Sequence, residues 1–148
     1  MGRDVMNKKL DWSAIWKSAL SICVFLLPVG IAQVVLVHDK TIDKGSAVNL
    51  LLFAAILFLT AVAGFGAARL VDHDLAQHGA AAGALAYVLV QGAGVIHHLI
   101  VGESLQSPIS FIYLGLLSST CGMLGAMLER RQRRLSALRH HVESGGNP

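Results

Sequence analysis

The side chains able to do chemistry in this chain are few and stand apart. His38, His97 and His98 fall near the ends of long apolar stretches, with Asp39, Asp43 and Glu103 close in sequence. Imidazole and carboxylate together suit a divalent metal. Yet His97 and His98 are consecutive, and consecutive side chains on a helix diverge by about 100°. One helix therefore does not offer both to the same ion. His38 and His97 are the one pair able to share a metal or a haem iron across helices. The simpler reading, preferred over a metal-binding or pH-sensing role, is of interfacial histidines that hydrogen-bond water or headgroups. No bound metal and no cofactor are expected. Asp72-His73-Asp74 with His78 reads as a solvated turn whose acids favour the positive start of the helix that follows.

The uncharged polar residues offer two readings. Gln33, Asn49 and Gln91 sit inside apolar stretches. Amides there hydrogen-bond one helix to another, or they line an uncharged polar path for a solute. Cys23 and Cys121 also fall inside such stretches, with no CxxC and no zinc spacing, and read as small buried residues. Gly64-Phe65-Gly66-Ala67-Ala68-Arg69 echoes a glycine-rich nucleotide loop but follows no strand. No nucleophile paired with a base is apparent, so the chain is not expected to be an enzyme.

The elements that hold these groups are set by where charge is missing. Residues 18–38, 45–68, 75–102 and 104–128 contain no Asp, Glu, Lys or Arg. A helix that spans a bilayer needs roughly 20 apolar residues, and all four runs reach that length. Spans are expected at about 18–37, 47–68, 77–100 and 108–128. Pro28 kinks the first. Pro108 suits the first turn of the fourth, where its missing N–H costs nothing. Trp12 and Trp16 share one face of a helical turn and mark a headgroup region. The first apolar run is too long for the core of a typical secretory signal, so it is read as a retained span.

The chain has 12 Lys and Arg. With four spans, Arg3, Lys8, Lys9, Lys17, Arg69, Arg130, Arg131, Arg133, Arg134 and Arg139 fall on one side of the bilayer. Lys40 and Lys44 fall on the other. Short basic loops stay inside the cell, so both termini are expected to be cytoplasmic. Residues 1–17 then form an interfacial leader, 18–128 a transmembrane domain and 129–148 a basic tail. Leu135, Leu138 and Val142 recur at helical spacing, so the tail is expected to continue the fourth helix and to lie along the membrane surface.

Composition agrees. Only 14% of residues are charged and 54% are hydrophobic, against about 25% charged in soluble domains. The pI near 9.1 invites a nucleic-acid partner, but the basic residues flank apolar spans, so none is expected. Arg69, Arg130, Arg131, Arg133 and Arg134 are expected to face anionic lipid headgroups.

Small residues at helical spacing form the densest pattern. They are Gly115, Ser119, Gly122 and Ala126 in the fourth run, Gly79, Gly83 and Gly94 in the third, and Gly64 in the second. Lipid tails are as apolar as leucine, so membrane helices associate by close packing, which small residues permit. The pattern serves either packing within one bundle or docking of a second subunit.

Two four-span transport families are unlike this chain. Small multidrug exporters carry a glutamate in the first span, and none is present here. Fluoride channels carry a polar break in the third, and Ala84 to Gly94 has none. The layout resembles the uncharacterised small four-span integral membrane proteins of Gram-positive bacteria. The resemblance rests on Gly64-Phe65-Gly66-Ala67-Ala68-Arg69, on His78-Gly79-Ala80 and on Gly122-Met123-Leu124-Gly125-Ala126. It implies a fold and a location but no activity. The expectation is an all-α integral membrane bundle of four transmembrane helices, multi-pass in the cell membrane. Its expected role is that of a helix-packing or accessory subunit in a homo-oligomer or larger membrane complex. The alternative is a small oligomeric transporter or channel.

Overall fold

A computed structural model describes residues 10–38, 41–43, 45–101 and 108–144, with backbone alone at 38, 97–101, 108 and 141–144. Four helices account for nearly all of them: α1 Trp12–His38, α2 Ala47–Arg69, α3 Leu75–Val101 and α4 Pro108–Ser144. No strand occurs among the described residues. All four helices are long and apolar enough to cross a membrane. At about 1.5 Å per residue even α2, the shortest, covers about 35 Å, more than the roughly 30 Å of hydrocarbon in a bilayer.

Local chemistry sets the helix ends. Asp11 caps α1, its Oδ1 accepting from the backbone N–H of Ser13 at 2.9 Å and Ala14 at 3.2 Å. Ser46 caps α2 by accepting from the Asn49 N–H at 3.2 Å. These caps satisfy donors that have no partner inside the helix. Asp74, just before α3, has φ 46°, a left-handed conformation that Asp tolerates better than most residues. Its carbonyl accepts from the N–H groups of Gln77 and His78. α4 opens on Pro108, as the missing N–H allows. It then runs without a break through the arginine segment to Ser144.

α2 and α3 form the centre, each touching the other three helices, while α1 and α4 share no contact among the described residues. α1 and α4 therefore occupy opposite corners. The start of α1, the end of α2, the start of α3 and part of α4 lie at one end of the bundle, here called the basic end.

The interior is small and the exterior large. Ala19, Ala63, Ala67, Ala82, Ala86 and Ala126 are buried, with Ile15 and Leu26 as the bulkiest fully buried apolar side chains. Val24, Phe25, Leu51, Phe58, Leu116 and Leu124 point outward. A water-soluble bundle would place such residues inside. With lipid as solvent there is no gain in hiding them, and close backbone approach decides which residues go inside.

Candidate functional site

α2, α3 and α4 approach closely at a three-helix crossing centred on Gly122 of α4. A Cβ added at Gly122 would collide with the Gly79 carbonyl oxygen and lie 3.0 Å from the Gly83 Cα, both on α3. From α2, a Cβ at Gly64 would collide with the Gly122 carbonyl, and one at Gly125 would collide with the Ala61 carbonyl. Gly79 and Gly83 are equally tight: added Cβ atoms would lie 2.5 Å from the Ala126 Cβ and 2.6 Å from the Ser118 carbonyl oxygen. So Gly64, Gly79, Gly83, Gly122 and Ala126 all come together inside one bundle. Gly115 faces the Tyr87 ring across ordinary contact distance. Gly94 is different, because a Cβ there meets nothing within 4 Å. Ser119 is half-buried, while its neighbour Ser118 is fully buried. Gly125 and Ser118 were not singled out from sequence. The spacing of three from Gly122 to Gly125 was the available signal, and it places the two glycines on adjacent faces of α4.

The basic end is closed by polar contacts. Glu129 is buried, its side chain only 8% exposed. Arg133, one turn later, donates from Nε to Glu129 Oε1 at 3.1 Å. Its Nη1 donates to Asp72 Oδ1 at 3.1 Å and its Nη2 to the Ala68 carbonyl at 2.8 Å. Arg133 thus caps the end of α2 from another helix, supplying a donor to a carbonyl that the helix itself cannot satisfy. Arg69 lies 3.8 Å from Glu129 and stacks 5.6 Å over the Phe65 ring. The Asp72 leg is fully exposed, and water screens such a pair. The Glu129 leg matters more, because a buried carboxylate needs a partner. Arg130, Arg131 and Arg134 are exposed.

α1 is fastened to the same end. His78 is fully buried on α3. Its Nδ1 donates to the Asp74 carbonyl at 3.0 Å and its Nε2 accepts from the Asp11 N–H at 2.8 Å. Accepting at Nε2 while donating at Nδ1 defines the neutral tautomer. His73 meets the His78 ring edge-on at 5.4 Å. Higher up, Ser18 Oγ of α1 donates to the Ala63 carbonyl of α2, against Gly66, where an added Cβ would lie 2.6 Å from that oxygen. The links of Asp11 to His78, Ser18 to Ala63, and Arg133 to Asp72 and Ala68 were not legible in sequence, since each joins residues 45 or more positions apart.

At the opposite end Gln33 Nε2 donates to Asn49 Oδ1 at 2.9 Å, joining α1 to α2. A cleft of about 250 Å³ opens beside them, lined by Gln33, Gly45, Ser46, Asn49, Leu50 and Phe53. Gln91 of α3 does not line it. The side chains of His38 and His97, with Asp39 and Glu103, lie outside the described residues. Among the described residues no group of three or more His, Cys, Asp or Glu is placed to hold a metal. No protein-family model matches the chain, and neither a curated protein nor a solved structure does. What can be concluded is architectural: the chain has the build of a small multi-pass membrane protein, a four-helix bundle with an apolar exterior.

Proposed function

We propose that the chain is a non-enzymatic subunit of a membrane assembly. It would lie in the cell membrane with both termini cytoplasmic and act by packing against other copies or another membrane protein. One observation carries this reading. Several of the polar groups at the helix contacts hold one helix to another: Ser18 to Ala63, His78 to the Asp11 cap of α1, Arg133 to Ala68 and Glu129 to Arg69. They do not converge on a shared opening. A reacting or conducting site is expected to present polar groups to a cavity. The experiment is the native mass of the chain extracted from its own membrane in mild detergent. A complex well above the 15.7 kDa of one chain is expected. A bare monomer would sink the proposal.

The orientation rests on the ten-to-two division of the 12 basic residues and the positive-inside rule. A reporter fused after Pro148 should be cytoplasmic. Arg69 and Arg130 would then meet anionic headgroups. Enrichment of anionic lipid with the purified protein tests that contact.

A second reading is favoured by the cleft beside Gln33 and Asn49, which is polar on one side and large enough for a small solute or several waters. In an oligomer it would form the outer part of an uncharged path. Gln33→Leu and Gln91→Leu should then abolish flux in proteoliposomes, and flux that survives both would exclude this reading.

A further inference from the structure

α4 has one face that the bundle does not use, and that face carries a repeat. Leu124, Leu128, Arg131, Leu135 and Leu138 follow one another at steps of 4, 3, 4 and 3, and Val142 takes the next step of 4. Steps of three and four in alternation give the seam of a coiled coil. The residues that pack into the bundle, Gly122, Gly125, Ala126 and Glu129, lie on the other side of the helix. Within the bilayer an outward leucine is satisfied by lipid and points to nothing.

With the bilayer edge placed at the charged end of the bundle, the same seam continues past it. Glu129 and Arg133 are level with the end of α2 and the turn into α3. Leu135 and Leu138 lie six and nine residues past Glu129, or about 9 and 14 Å further along an unbroken helix. A headgroup layer is only about 5–8 Å deep on each side. Yet Leu135 is 57% exposed and Leu138 is 63% exposed, and every residue from Arg134 to His140 is exposed. Apolar side chains held at seam spacing beyond the headgroups are built for a protein helix.

Charge decides which helix. In a parallel pair with Leu128 and Leu135 at one seam position, Arg131 and Leu138 take the other. Arg134 and Arg139 then flank the seam, and each faces the other's counterpart across the pair. A second copy of this chain would set Arg131 against Arg131 and Arg134 against Arg139 on both sides. Those like charges oppose self-pairing, and acidic residues at the same places would complement all of them.

We propose that the α4 extension, residues 131–144, docks an amphipathic helix of a partner protein that has an apolar seam flanked by Asp or Glu. This deepens the assembly reading above and rests on it for biological sense, but the contact can be measured separately. The full chain is placed in phosphatidylcholine nanodiscs. The probe is a labelled coiled-coil peptide with leucine at its seam and glutamate at its flanks and opposite Arg131. The control carries lysine in place of glutamate. The glutamate peptide should bind and the lysine peptide should not. Leu135→Ser with Leu138→Ser should weaken binding at least about tenfold. Arg131→Glu with Arg134→Glu and Arg139→Glu should switch preference to the lysine peptide.

Binding of neither peptide, or of both alike, would overturn the proposal, as would full binding by the serine variant. A spin label at position 136 in phosphatidylserine nanodiscs should stay in water. A label buried in lipid would give the extension to the membrane instead. A fall in mass of the peptide-free protein on Leu135→Ser with Leu138→Ser would give it to a second copy. These substitutions leave the Gly122 crossing intact. A native complex that survives them therefore rejects the extension as the docking site while the assembly reading stands.

Discussion

The crossing at Gly122 makes a prediction whose size follows from the structure. Gly122→Ala adds one Cβ that would collide with the Gly79 carbonyl and lie 3.0 Å from the Gly83 Cα. Carbon atoms rest at about 3.5–4.0 Å, so α4 must retreat from α3 by about 0.5–1 Å or more. A gap of that size forfeits a quarter to a half of each van der Waals contact along the seam, including those of Gly79, Gly83 and Ala126. Neither carbonyl nor Cα can swing aside as a side-chain tip would. Overpacking of this kind costs about 1–3 kcal/mol. Alanine also gains about 0.5–1 kcal/mol over glycine inside a helix, which obscures the comparison with wild type. Gly94→Ala removes that ambiguity, because it gains the same propensity and its Cβ meets nothing within 4 Å. The difference between the two variants therefore isolates the crossing. Thermal unfolding in one detergent should place Gly122→Ala about 2–12 °C below Gly94→Ala, from about 1–3 kcal/mol at about 2–4 °C per kcal/mol for chains of this size. Equal melting temperatures would refute the argument that backbone approach at Gly122 holds α3 and α4 together.

Arg133→Ala removes the donor to Ala68 and, among the described residues, leaves buried Glu129 with Arg69 at 3.8 Å. A loss of about 1–3 kcal/mol is expected, with part of it regained in the Glu129→Ala, Arg133→Ala double variant when both are melted alongside the singles. His78→Phe keeps the bulk but removes the acceptor for the Asp11 N–H. Amide exchange at residues 11–15 should rise about tenfold, the effect of about 1.4 kcal/mol of local opening, while exchange in the middle of α2 stays unchanged. Ser18→Ala removes one bond to Ala63 and should cost only about 0.6 kcal/mol, the average for such a bond between membrane helices. A loss several times larger would mean that Ser18 does more than hydrogen-bond.

Much of the fold was legible in the sequence. Uncharged runs marked four helices because a chain in lipid must satisfy every backbone group within its own segment. One helix start was legible, since Pro108 opens α4 as its chemistry allows, whereas the Asp11 and Ser46 caps emerged only from the structure. The clustering of Gly64, Gly79, Gly83 and Gly122 could be read as a packing pattern, though not whether it served this bundle or a second subunit. Gly94 shows the limit. Its type and its place in a helix match those of Gly83, yet it meets nothing.

The sequence alone therefore determined how many helices there are, roughly where they run and that their apolar runs carry no charge. These properties depend on each segment and its solvent. Tertiary structure alone decided which face each helix turns inward. α2 and α3 are apolar on nearly every side, so no polar stripe fixes their rotation, and the choice falls to mutual fit at the crossing. That fit is why Ser118 is buried and Ser119 is not. It is also why Arg133, alike in sequence to Arg130, Arg131 and Arg134, turns back to cap α2.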